Sequence, residues 1–198
     1  MDDQKEITLQ KEKLYRYFNR YARFSKEEIN CIHGVTKLMF FPKKSFLVQE
    51  GEYAQYRFFV LKGLVRTFTV NEKGHEQITQ FAIENWWIMD FESVLLKEPA
   101  QVYLQAIEDT QCLGIKQEQL EALYLHIPQL ESAFRQITER ILIAHQRRHN
   151  RYLKLKSKER YRIFTNLFPE FAQRVPQYMI ASYLEISPEY LSTIRKEK

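Results

Sequence analysis

Apolar positions change their period twice along the chain, and the two changes divide it into three stretches. Over the first thirty residues Leu9, Leu14, Tyr17, Phe18 and Tyr21 recur at helical spacing, which predicts a helix. "FSKEEI" then starts a second one, with Ser25 as N-cap, Glu28 as its capping-box partner, and Phe24 and Ile29 as a hydrophobic staple. From Val35 to Ile115 the apolar runs shorten to strand length: "VTKLMFF", "SFLVQ", "YRFFVLK", "LVRTFTV", "HEQITQFAI", "WWIM", "QVYLQAI" and "CLGI". Pro42, Gly51, Lys62-Gly63 and Asn71-Glu72-Lys73-Gly74 punctuate them. About eight short strands at that spacing predict a β-sandwich or jelly roll.

After Pro128 the helical period returns. Leu130, Phe134, Ile137, Ile141 and Ala144 advance by four, three, four and three, the a/d seam of a coiled coil with a second copy of the chain. The same residues would also suit packing back on the sandwich. "KSKERYRIFTNLFPEF" gives a further helix, with Ser157 as N-cap, Ile163, Phe164 and Leu167 facing inward, and Pro169 at its end. The expected organisation is therefore α+β. An N-terminal β jelly roll with its leading helices covers 1–127, a long dimerisation helix covers 128–156, and a small helical domain covers 157–198.

That last domain closes on "QYMIASYLEISPEYLSTIRK", whose apolar spacing fits a helix-turn-helix. Ile180, Ala181, Leu184, Ile186, Leu191 and Ile194 make its miniature core, and Ala181 is small because the second helix passes close over it. Ser187-Pro188-Glu189 reads as N-cap, N1 and an acidic first turn. The turn favours glycine for a left-handed backbone and has Glu185 instead, at a cost of about 1 kcal/mol. The outward face of the last helix, Glu189, Tyr190, Ser192, Thr193 and Lys196, is polar and suited to base edges. Arg195, Lys196 and Lys198 suit phosphates.

Charge sharpens this division. The chain of 198 residues carries a formal +5, yet Arg140–Lys198 holds 13 Lys or Arg against 5 acids, so the remainder is slightly acidic. A basic C-terminal third suits a polyanion partner for that third, such as double-stranded DNA, although a solvated helix surface would give the same count. No run reaches the roughly 18 to 20 apolar residues of a membrane span, and "MDDQKEITLQ" is too polar for a secretory leader, so a cytoplasmic protein without membrane contact is expected. Cys31 and Cys112 lack metal-ligand spacing and read as two buried thiols. A metal-dependent jelly-roll enzyme needs clustered histidines, whereas the sandwich region has His75 alone. His145 and His149 stand at i, i+4 but lie among arginines that repel a cation. No catalytic residue, metal or cofactor is assigned.

A jelly roll, a long helix and "RVPQYMIASYLEISPEYLSTIRK" together resemble the Crp/Fnr family of bacterial transcription regulators over nearly the whole chain. The resemblance implies a homodimeric DNA-binding regulator with Ser187 and Pro188 at the head of the reading helix. It places Pro188, Glu189 and Thr193 against bases, with Thr193 where the family usually has arginine, and it implies contact with RNA polymerase. It also implies an effector pocket, whose phosphate cassette is normally a Gly-Glu pair followed by an Arg-Ser pair. Met89-Asp90 and Ala100-Gln101 stand at those positions, so cyclic AMP loses its charged phosphate partner. Either Trp86, Trp87, Met89 and Phe91 fill the pocket, or it takes a different, less anionic effector. An effector-sensing or adaptor protein of the same architecture, without specific DNA binding, is the alternative.

Overall fold

The computed structural model describes residues 11–197; the expected Leu9 contact and Lys198 lie outside them. A first helix, α1, runs over described residues 11–18 and buries Leu14 and Phe18. Helix α2, Lys26–Val35, starts as its sequence dictates: Glu28 N donates to Ser25 Oγ at 3.2 Å, and Ser25 N donates to Glu28 Oε2 at 2.7 Å.

Eight described strands follow: β1 (Thr36–Phe41), β2 (Phe46–Val48), β3 (Tyr56–Lys62), β4 (Val65–Val70), β5 (Glu76–Ala82), β6 (Trp87–Ile88), β7 (Tyr103–Ala106) and β8 (Thr110–Lys116). Each falls within one of the strand-length runs or beside it. They form two four-stranded sheets, ordered β1-β8-β3-β6 and β2-β7-β4-β5, the sandwich that alternation and turn residues predict. The short helix α3 (Phe91–Leu96) sits between β6 and β7. Beyond β8 come α4 (Gln117–His126), α5 (Pro128–Lys154), α6 (Ser157–Leu167), α7 (Pro169–Arg174), α8 (Gln177–Leu184) and α9 (Pro188–Lys196). Lys156 rather than Ser157 is the N-cap of α6. Ser157 instead stands first in the helix, where its hydroxyl accepts from Arg160 Nη2 at 3.2 Å.

Two compact units result. One holds the described residues up to Thr67 with Phe81–Thr138; the other holds Phe68–Gln80 with the described residues from Glu139 onward. The hairpin formed by β4 and β5 thus groups with the C-terminal helices, which a segmentation in chain order (1–127, 128–156, 157–198) does not anticipate. Its turn is tied by Asn71, whose Oδ1 accepts from Lys73 N and His75 N.

In the first unit β3 is buried on both faces. Register puts Phe58 opposite Gly114 and Ile88, and Phe59 opposite Leu113 and Trp87. Successive side chains point to opposite faces. Phe58, Val60, Ile88 and Cys112 therefore join Val48, Val65, Ala100 and Leu104 in the sandwich interior. Phe59 and Trp87 instead meet the helices: their rings are 5.3 Å apart, Trp87 lies 4.9 Å from Phe134, and Phe18 lies 5.3 Å from Phe134. Arg57, also buried, donates from Nε to Gln117 Oε1 at 2.7 Å and lies over the Phe134 ring. At the β3–β4 turn Gly63 has φ of 103°, and a Cβ there would come within 2.7 Å of Thr110 Cα.

Burial corrects two sequence expectations. Leu130, Phe134 and Ile137 are buried in the chain's own core, so the upper half of the α5 seam covers the sheet. Only Ile141, half-buried, and Ala144, exposed, keep access to solvent. The thiols also differ: Cys112 is buried and its pKa is pushed up to about 12 by burial, whereas Cys31 is exposed. Phe134→Ala should lower the unfolding free energy by about 3–5 kcal/mol in denaturant titration, while Leu125→Ala, at an exposed site on α4, should change it by under about 0.5 kcal/mol.

Candidate nucleic-acid interface

The C-terminal helices pack on rings and aliphatic side chains. Phe164 of α6 lies 5.9 Å from Phe171 of α7 and 5.5 Å from Tyr183 of α8, ring centroid to centroid. Met179, Ile180, Ala181 and Leu184 of α8 are buried, as are Leu191 and Ile194 of α9, while Ile186 is half-buried. Ala181 has no exposed surface, in keeping with a close helix crossing.

Between the helices, Glu185 takes φ 56° and ψ 49°, the left-handed conformation expected at that position. Ile186 N donates to Ala181 O and Glu185 N to Ser182 O, both at 3.1 Å, the paired bonds of a Schellman ending. Helix α9 then starts at Ser187, whose Oγ accepts from Tyr190 N at 3.1 Å, with Pro188 at N1. The Glu189 carboxyl is held below its usual pKa, chiefly by a hydrogen bond to its own backbone and next by the Ser187 side chain.

All eight residues assigned to the reading helix from sequence are exposed: Ser187, Pro188, Glu189, Tyr190, Ser192, Thr193, Arg195 and Lys196. One end of this face is tied down, since Lys158 Nζ of α6 lies 2.7 Å from Glu197 Oε2.

Sequence reasoning missed a polar clasp in this unit. Ser182, inside α8, donates from Oγ to Glu76 O at 3.0 Å and accepts from Ile78 N at 2.9 Å. Gln77 Nε2 donates to Ser182 O at 2.6 Å. Arg148 of α5 donates to Thr79 O and, at 2.9 Å, to Tyr183 O, with its guanidinium 4.1 Å from the Tyr183 ring centroid. The strand edge of the hairpin is thus completed by a helix rather than by another strand. The one available signal was a hydroxyl-bearing residue in mid-helix, a position such residues seldom favour without a hydrogen-bonding reason.

The effector-pocket residues separate. Met89, Asp90 and Ala100 are buried and Gln101 is exposed, so Gln101 offers no donor to the interior. Asp90 is the N-cap of α3: its Oδ1 accepts from Glu92 N at 3.1 Å and Ser93 N at 3.4 Å, while its buried Oδ2 has no hydrogen-bond partner. Of the two readings of the pocket, filling by aromatic side chains is corrected for Trp86 and Trp87. Trp87 faces the helices through the register of β6 on β3, Trp86 is 36% exposed, and the interior is occupied by the aliphatic and phenylalanine cluster around Phe58.

Residues 38–126 match the family described as cyclic nucleotide-binding domain. The chain is 31% identical over 102 residues to the transcriptional activator protein Anr of Pseudomonas protegens, a match spanning 50% of this chain and 39% of that protein. It therefore spans well under half the length of that curated relative. Among solved structures it is similar to FixK2 of Bradyrhizobium japonicum, with TM-score 0.69, 19% identity, and 82% of this chain and 84% of the other covered. It is also similar to the catabolite activator protein of Thermus thermophilus, with TM-score 0.56, 18% identity, and 89% and 84% covered. Among the described residues no helix is long and apolar enough to cross a membrane.

Replacing Ser182 by alanine should cost about 1 kcal/mol and should speed hydrogen exchange at the Ile78 amide, which loses its acceptor; protection left unchanged at that amide would show the clasp to be energetically idle.

Proposed function

We propose that the chain is a regulator of the Crp/Fnr type: a dimeric, sequence-specific DNA-binding transcription regulator that does not respond to cyclic AMP. The observation that carries the reading is the division of α9, with Leu191 and Ile194 buried and the polar face from Glu189 to Lys196 exposed. A helix anchored on one side and furnished with carboxylate, hydroxyl and basic groups on the other has the chemistry to enter a major groove. Arg195 and Lys196, with the basic residues of α5 and α6, supply phosphate contacts.

Two copies are supported by the part of α5 beyond Thr138. There half-buried Ile141 adjoins exposed Leu142, Ile143 and Ala144, and Leu153 is exposed one further stretch along. Apolar side chains on one helix favour a second copy of it. The seam of the proposed dimer is therefore displaced toward the C-terminal half of α5. Contact with RNA polymerase belongs to the same reading and rests on family resemblance.

Insensitivity to cyclic AMP is supported by Ala100 within the sandwich interior and by Gln101 at the surface. A buried phosphate requires a charged or multiply hydrogen-bonded partner.

Selection of bound fragments from a random duplex library should return a palindrome with half-sites about one helical turn apart. Equal, weak affinity for all duplexes that merely fades with salt overturns the proposal. Leu142→Glu combined with Ile143→Glu should shift sedimentation to the monomer and abolish palindrome binding. Titration calorimetry with cyclic AMP should show no heat of binding; a saturable signal would refute the reading of the pocket.

A further inference from the structure

We propose that Thr193 acts as a hydrogen-bond acceptor only, so that Glu189 and Thr193 together select an amino-bearing base, adenine or cytosine, at two neighbouring steps of each half-site. The inference rests on the DNA-binding reading above and adds to it the chemistry of what is read.

Thr193 Oγ1 donates to the backbone carbonyl of Glu189, four residues earlier, at 3.2 Å. A hydroxyl has one proton and a carbonyl can only accept, so that proton points back along the helix. What the exposed Thr193 oxygen shows to solvent is lone pairs. Glu189, held ionised by the hydrogen bonds at the head of α9, likewise only accepts. Ser187 is engaged at the N-cap through Tyr190 N and beside the Glu189 carboxylate, which makes it a positioning residue for that carboxylate.

Glu189 and Thr193 are i, i+4 neighbours, about 5–6 Å apart at Cβ on one helix face. Base pairs rise roughly 3.4 Å each, so the two oxygens address adjacent or next-adjacent steps. In the major groove the donors are adenine N6 and cytosine N4; guanine N7 and O6, adenine N7 and thymine O4 all accept. An acceptor pressed against guanine or thymine leaves two desolvated lone pairs with no proton between them. Every base pair carries one such amino group, so what the pair of residues reads is the strand that bears it.

Selection from random duplexes is run with the full chain and with three substitutions. Thr193→Val keeps the shape, loses the acceptor, and should weaken the preference at one step about three- to tenfold, leaving the Glu189 step unchanged. Thr193→Ser should retain the preference. Thr193→Arg, a donor only, should flip that step from an amino base to guanine on the same strand. Removing the amino group from the DNA, by purine for adenine or 2-pyrimidinone for cytosine, should cost the unsubstituted protein the same factor and Thr193→Val nothing further. A guanine or thymine at the step that responds to Thr193, or selection unaltered by Thr193→Val, overturns the inference while leaving sequence-specific binding intact. No enriched sequence at all overturns the function and this inference with it.

Discussion

Rotation of α9 about its own axis is fixed by Leu191 and Ile194, three residues apart and both buried in the knot that Ile180, Ala181 and Leu184 of α8 complete. Everything proposed for function depends on that constraint. At 100° per residue, committing two side chains inward determines where every other side chain on a nine-residue helix points. The commitment requires a tight crossing, hence a small residue at Ala181, and a tight corner, hence the left-handed Glu185. Neither feature touches a ligand, yet a larger residue at 181 would re-aim the polar face. The clasp of Ser182 and Arg148 extends this rigidity to the hairpin Phe68–Gln80, which belongs to the same compact unit.

In the other unit the ruling constraint is a sheet buried on both faces. Pleating sends Phe58 and Val60 inward and Phe59 outward, so the outer face needs an apolar lid. Helices α1 and α5 supply it through Phe18 and Phe134. Burying Arg57 under that lid is tolerated because Gln117 accepts from it and Phe134 presents a ring to its guanidinium. Using Leu130, Phe134 and Ile137 in this way removes them from any partner, and only the later part of α5 is left with uncovered apolar groups.

The strands were legible because turn residues punctuate them and alternation marks a half-buried surface; the capping residues Ser25 and Ser187 were legible because their hydrogen bonds are local. What sequence left open was non-local. Whether the a/d stripe of α5 meets a second copy or the sheet depends on which surface arrives first, and spacing is identical in both cases. One of the two readings of the pocket put Trp87 inside the sandwich, because "WWIM" does not disclose its register. Pairing with Phe59 turns it to the helices. The helix α4 escaped notice since leucines alternate with polar residues in "QEQLEALYLH" without a clean stripe. Ser182 could not be matched to Ile78, 104 residues away, by any local rule.

On the proposed reading, an ionised glutamate aimed at a polyanion demands explanation. Glu189 repels phosphate and contributes nothing to affinity for an arbitrary duplex. The 13 Lys and Arg from Arg140 onward outnumber the 5 acids of that stretch and supply attraction that is indifferent to sequence. The two terms act differently on the outcome. Basic residues raise binding everywhere, including at the vast excess of wrong sites, whereas an acceptor pair lowers it everywhere except where the amino group stands on the strand it faces. Specificity is the ratio of the two affinities, so a reader that penalises mismatches widens it more effectively than added basic charge can. A small helical module with few base-reaching side chains gains most from this arrangement, because each of them must discriminate rather than simply hold.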